Sequence, residues 1–173
     1  RRWHICLEFI ACNHGIPVFT DAPKGHLEYL RELNPDLVFS FYYRRIIPNE
    51  ILERAPGGAY NMHGALLPRY RGRAPVNWAI IMGEKESGVT LHHMTAEVDK
   101  GDIVDQEVVD IGFDDTARDL YASMTVAARA VMLRNYPLIV SGVAPRRPQN
   151  DSLATTFGKR TPADGSIDWS RSA

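Results

Sequence analysis

Leu37-Val38-Phe39-Ser40-Phe41-Tyr42 is a continuous apolar and aromatic run, of the length expected for a strand buried on both faces. Such a strand belongs in the middle of a parallel sheet. On its N-terminal side, Asn34-Pro35-Asp36 stops a segment from Gly25 to Leu33 in which Leu27, Leu30 and Leu33 recur at helical spacing. Before that, Ile16-Pro17-Val18-Phe19-Thr20 follows the turn signal Asn13-His14-Gly15 as a short β-type run. On the C-terminal side, Pro48 to Ala55 suits a short helix with proline in its first turn, and Pro56-Gly57-Gly58 ends it. Ala59-Tyr60-Asn61-Met62 then resumes a strand. Strand and helix alternating in this way predict right-handed crossovers and an α/β fold, a mostly parallel sheet with helices on both faces. Ligands of such sheets bind outside the carboxyl ends of the strands, where Asn61 and His63 fall.

Further along, Pro75 to Met82 reads as a short helix and Gly88 to Met94 as a strand. Alternation sends Val89, Leu91 and His93 to one face and Thr90, His92 and Met94 to the other. Ile103 to Ile111 is another strand-like run. Asp114-Asp115-Thr116 is a helix N-cap signal, and Leu120, Met124, Ala127, Ala128 and Val131 form the apolar stripe of a long helix. That helix ends near Asn135-Tyr136-Pro137 or continues, kinked, to Val140, and Gly142 closes the unit. From Ala144 onward polar and turn residues dominate without periodicity, so residues 1–143 read as one domain and 144–173 as a linker.

The 173 residues, 45% hydrophobic and 24% charged, are enough to bury a sizeable core. A formal net charge of -1 provides no field to gather nucleic acid or an anionic membrane surface. Cys6 and Cys12 form no CxxC pair and suit buried apolar filling as well as any other role. With no disulfide framework and no signal peptide, a reducing cytoplasm is the expected location, and no apolar run approaches the roughly 20 residues needed to cross a bilayer. The chain starts at Arg1-Arg2-Trp3-His4-Ile5, inside a helix-like pattern, and stops just beyond Ile167-Asp168-Trp169, as a fragment would. Oligomeric state is not legible.

Chemistry concentrates in Asn61-Met62-His63-Gly64-Ala65-Leu66-Leu67-Pro68-Arg69-Tyr70-Arg71-Gly72-Arg73-Ala74-Pro75 and, later, Asp99-Lys100-Gly101-Asp102. An amide, an imidazole and a carboxylate are what a tetrahedral acyl-transfer intermediate needs: a donor for the oxyanion, a group handling protons near neutral pH, and an anion to fix that group. Asn-x-His at a strand end is by itself more often a turn or a satisfied core pair. The whole loop, together with the spaced Asp99, favours catalysis. His92 and His93 are adjacent, so a strand separates them, and no metal site is expected.

Asn61 to Pro75, Gly88-Val89-Thr90, Asp99-x-Gly101-Asp102-Ile103 and Phe157-Gly158-Lys159-Arg160-Thr161-Pro162 together resemble the folate-dependent formyltransferase family, whose donor is 10-formyltetrahydrofolate. Within it, Phe39 to Arg44 and Tyr70 to Trp78 look closest to the branch acting on UDP-4-amino-4-deoxy-L-arabinose in lipid A modification and polymyxin resistance. The resemblance implies a Rossmann-like N-terminal catalytic domain lacking its first strand and most of its first helix. It also implies a small β-barrel domain beyond the linker, and a fragment that is inactive by itself.

Carried over by position, the resemblance makes Asn61, His63 and Asp99 the catalytic residues. Asn61 would donate to the oxyanion, and His63 would add a donor and relay a proton. Asp99 would favour the protonated ring, orient it, and hold a water that takes up the amine's surplus proton. Phe41, Tyr42, Tyr43 and Arg44, with Asp99, fall where the family places its pterin pocket, although Tyr43 could equally well pack. Tyr70, Arg71 and Arg73 are candidates for the sugar nucleotide, since guanidinium groups suit phosphate, and a solvated basic run is the alternative. Ala65 stands where the family commonly has serine. Competing roles are methionyl-tRNA formyltransferase, whose polyanionic acceptor calls for basic excess, a non-catalytic folate- or nucleotide-binding domain, and a formyltetrahydrofolate hydrolase.

Overall fold

The computed structural model of the chain describes residues 7–166 and 169–170. The readings at Arg1 to Ile5, Cys6 and Ile167-Asp168 lie outside the described residues. The helices are α1 (Leu7–Asn13), α2 (Leu27–Leu33), α3 (Asn49–Leu52), α4 (Pro75–Ile81) and α5 (Ala117–Val140). The strands are β1 (Val38–Phe41), β2 (Ala59–His63), β3 (Arg71–Gly72), β4 (Glu86–His93), β5 (Ile103–Asp110) and β6 (Thr156–Phe157). A four-stranded sheet runs β1-β2-β4-β5, and β3 pairs with β6 in a separate two-stranded ribbon.

The α/β architecture is present, with two departures from the expected sheet. β1 and β2 are parallel, joined through α3, but β4 is antiparallel to both β2 and β5. His63 lies opposite Thr90 and Tyr60 opposite His93, so the loop after β2 and α4 return the chain to the end of the sheet that it left. Alternation of strand and helix reports element type and not direction. The second departure concerns the layers. Among the described residues, α4 and α5 are the helices in substantial contact with the sheet, and they share one face. The other face of β2 and β4 lies under loops.

Tyr60, Met62, Val89, Leu91 and Val104 supply the sheet side of the core. Leu120, Met124, Ala127, Val131 and Ile139 of α5 supply the helix side, at the three- and four-residue spacing of one helical face. Thr116 begins α5 in a capping box, its backbone N–H donating to the Asp119 carboxylate at 3.0 Å. The helix carries Pro137 inside it and continues to Val140.

Among the described residues β1 has a partner on one edge only, and Phe41 is exposed. Residues 16–20 form no strand. Ile16 donates its N–H back to Ala11, Pro17 has none to give, and Phe19 packs on the rings of His26 and Tyr29 instead. Cys12 is exposed, not a core filler. The segment expected to be a linker returns to the domain. Arg147 bridges to Ile103, Ala144 packs on the core, and Thr156-Phe157 pairs with Arg71-Gly72. No helix among the described residues is long and apolar enough to cross a membrane.

Thr90 clamps the loop after β2 to the sheet. Its fully buried hydroxyl donates to Ala65 O at 2.6 Å and accepts from Leu67 N at 3.0 Å and Gln106 Nε2 at 2.9 Å. Thr90→Val keeps the shape and removes all three bonds. It is expected to destabilise the protein by about 1–3 kcal/mol, read as a lower urea midpoint at unchanged m-value.

Candidate active site

Register decides which side chains meet. In β2 the residues Tyr60 and Met62 point into the core, so Asn61 and His63 take the opposite face. Asn61 lies opposite His92 and His63 opposite Thr90, and register partners share a face. A bulge between Leu91 and His92 disturbs the β4–β5 ladder where the chain leaves for the loop that carries Asp99. That loop turns back over the same face.

The polar atoms then converge. His63 Nδ1 stands 3.5 Å from Asp99 Oδ1, and His92 Nε2 stands 3.7 Å from that same oxygen. Asn61 Nδ2 is 3.0 Å from His92 Nε2. All three of His63, His92 and Asp99 are buried, with side-chain exposures of 7%, 2% and 8%. Low exposure keeps bulk water from screening them.

Hydrogen-bond accounting fixes the ring states. His92 Nδ1 is 2.8 Å from the carbonyl of His93, which can only accept, so Nδ1 carries the proton. Burial pushes the His92 pKa down to about 4, so the ring is neutral near pH 7 and its Nε2 offers a lone pair. The amide group of Asn61 must therefore present its NH₂ to His92, with its second N–H left for another acceptor. His63 donates from Nε2 to the Tyr70 carbonyl at 2.8 Å, leaving the Nδ1 edge turned toward Asp99. At 3.5 Å that contact is within ion-pair range but longer than a direct hydrogen bond. Asp99 Oδ2 accepts from the Gly72 N–H at 2.8 Å.

The structure thus brings Asn61, His63 and Asp99 together from β2 and a loop 36 residues further on. It adds His92, which strand alternation alone could not assign to this site because the β2–β4 pairing was not legible. It also adds the backbone groups of Tyr70 and Gly72, which carry no sequence signal.

Other expected site residues are placed differently. Phe41 pairs with Met62 and shares its face, so Phe41 and Tyr42 line an apolar groove of about 280 Å³ with Met62, Ala128, Met132 and Leu133. That groove lies on the α5 side of the sheet, away from Asn61 and His63. Tyr43 and Arg44 are exposed after β1. Tyr70 is inward: its ring stacks on Phe157 at 4.8 Å, its hydroxyl bonds Glu84, and burial together with that carboxylate pushes its pKa up to about 12. Arg71 is buried, its guanidinium held by Gln149 and Asp151, so it is not available to a phosphate. Arg69 pairs with Glu84. Arg73 is exposed, and its side chain has no hydrogen-bond or ion-pair partner among the described residues.

Residues 19–135 match the formyl transferase family, a span that includes Asn61, His63, His92 and Asp99. The chain belongs to the formyl transferase family. Among solved structures, it is similar to an N-formyltransferase from Helicobacter canadensis in complex with folinic acid and dTDP-3-aminofucose. Identity is 31% and the TM-score 0.78, over 92% of this chain and 56% of that one. It is also similar to WlaRD, a sugar 3N-formyltransferase seen with dTDP and 5-N-formyl-THF, at 27% identity and a TM-score of 0.76, over 91% of this chain and 55% of that one. A 4-N formyltransferase from Francisella tularensis matches at 25% identity and a TM-score of 0.74, over 88% of this chain and 60% of that one. The chain of this formyl transferase family member therefore spans little more than half the length of the first two of these relatives.

Proposed function

We propose that the protein transfers a formyl group from 10-formyltetrahydrofolate to the amine of a sugar nucleotide, with UDP-4-amino-4-deoxy-L-arabinose as acceptor. The observation that carries this reading is the convergence of Asn61, His63 and Asp99 on one buried face. The relatives seen with folinic acid and dTDP-3-aminofucose, and with dTDP and 5-N-formyl-THF, support the substrate class. The run from Tyr70 to Trp78 supports the finer choice of sugar, whose formylation belongs to lipid A modification. A net charge of -1 does not suit a tRNA acceptor.

In this reading the acceptor nitrogen attacks the formyl carbon and the carbonyl oxygen becomes an oxyanion. The free N–H of Asn61 donates to that oxygen. Collapse breaks the bond from carbon to N10 of the folate, which takes a proton by way of His63, while the amine loses one proton to a water beside Asp99. The products are a formamide and tetrahydrofolate. Asp99, 3.5 Å from His63, neutralises charge on the ring as protons pass. Arg73, exposed on the neighbouring loop and without a side-chain partner among the described residues, is the candidate among the three arginines for a sugar-nucleotide phosphate.

The intact protein should be incubated with 10-formyltetrahydrofolate and, in separate arms, UDP-4-amino-4-deoxy-L-arabinose, a dTDP-3-amino sugar or charged initiator tRNA, with products followed by mass spectrometry. A formylated UDP-sugar is expected. Formylation of the tRNA alone overturns the sugar-nucleotide reading, and formate release without any acceptor assigns a hydrolase. Formylation of the dTDP-sugar alone removes only the choice of sugar.

A further inference from the structure

The loop that carries Asp99 is bonded by a residue far from it in sequence. Gln149, in the polar segment that follows α5, directs its Nε2 to two backbone carbonyls of the catalytic loop, Asp99 O at 2.8 Å and Gly101 O at 2.8 Å. Its Oε1 accepts from Arg71 Nε at 3.2 Å and Nη2 at 2.7 Å. A guanidinium can only donate, so the amide oxygen must face Arg71 and both amide hydrogens must face the loop. Arg71 is itself 5% exposed and donates onward to Asp151 Oδ1 at 2.7 Å. The orientation of the Gln149 amide is thereby fixed at both ends.

The loop has reason to need such a hold. Asp99 has a φ of +57°, the left-handed region that non-glycine residues occupy only where their surroundings fix them. On its inner side the loop lies directly on β4, since a Cβ at Gly101 would sit 1.8 Å from the carbonyl of His93. Its outer side is held by Gln149. The neighbouring ribbon completes the arrangement: Gly72 pairs with Phe157, and the Gly72 N–H is the donor to Asp99 Oδ2.

We propose that Gln149 is a positioning residue for formyl transfer, aiming the Asp99 carboxylate at His63 through the backbone of residues 99–101. Its effect on rate rests on the formyl-transfer reading above. Its effect on the loop does not. The role also explains why a segment with no hydrophobic periodicity returns to the domain.

The test compares Gln149→Met and Gln149→Glu in the intact protein, alone and in an Asp99→Asn background, with 10-formyltetrahydrofolate and UDP-4-amino-4-deoxy-L-arabinose. Gln149→Met should lower kcat by about 10²-fold, the scale of an ångström's misplacement of a reacting group, and leave both KM values nearly unchanged. Gln149→Glu keeps an acceptor for Arg71 but turns oxygen toward two carbonyls, and should lose at least as much. In the Asp99→Asn background either change should add little, because both act through the same carboxylate. Hydrogen exchange across residues 97–102 should quicken in both variants. An unchanged kcat, or losses that multiply independently with Asp99→Asn, overturns the proposal. If the wild-type protein formylates no amine, the formyl-transfer reading fails by itself, and unchanged exchange across 97–102 is then the result that overturns the role of Gln149. Arg71→Lys, which keeps the charge but not the two-pronged hold, supplies the same comparison where Gln149→Met does not fold.

Discussion

Replacing His63 with alanine is expected to lower formyl-transfer turnover by about 10²–10⁴-fold while the protein remains folded. The ring bonds one backbone carbonyl, at Tyr70, and turns its other nitrogen toward Asp99. Alanine strands that carbonyl at a cost of about 1–3 kcal/mol, which a domain holding about 5–15 kcal/mol survives. What disappears is the group that moves a proton to the departing folate nitrogen. The loss should therefore fall on kcat and leave both KM values nearly alone. Steady-state kinetics beside a thermal melt decide it: unchanged kcat with a collapsed melting temperature would make His63 a packing residue.

Elements stabilised by local pattern were legible, and those set by long-range pairing were not. The stripe from Leu120 to Val131 announces α5, and Thr116 announces its start, because helix hydrogen bonds and caps close within a few residues. β4 was equally visible from Val89 and Leu91. Its direction was not, since that depends on where a loop of irregular backbone releases the chain. Leu37 to Tyr42 shows a related limit: composition does not report how many neighbours a strand has, and among the described residues β1 has one. At the site, the types and spacing of Asn61, His63 and Asp99 carried their own chemical logic. The three arginines illustrate the limit. Arg69, Arg71 and Arg73 alternate in sequence, yet one pairs with Glu84, one is buried against Gln149, and the third has no side-chain partner among the described residues. Gln149 lies in a stretch with no periodicity, so its partners emerge only from the fold.

Asn61→Asp should be more damaging than Asn61→Ala, which inverts the usual ranking of conservative substitutions. Alanine removes the donor to the oxyanion, and losses of that kind run to about 10²–10³ in kcat. Aspartate removes the same donor and adds two further penalties without changing shape. Its carboxylate would face the Nε2 lone pair of His92, whose proton is committed to the His93 carbonyl on the other nitrogen. It would also place a second anion in the buried pocket that Asp99 already occupies, against a developing negative charge. Relief requires a proton on His92, which burial disfavours, or on one of the carboxyl groups. The turnover of Asn61→Asp should accordingly recover in part as pH is lowered, because protonating the new carboxyl restores a donor, whereas that of Asn61→Ala should show no such recovery. Parallel pH–rate curves for the two variants would mean that Asn61 does not face the oxyanion, and that its bond to His92 serves the sheet alone.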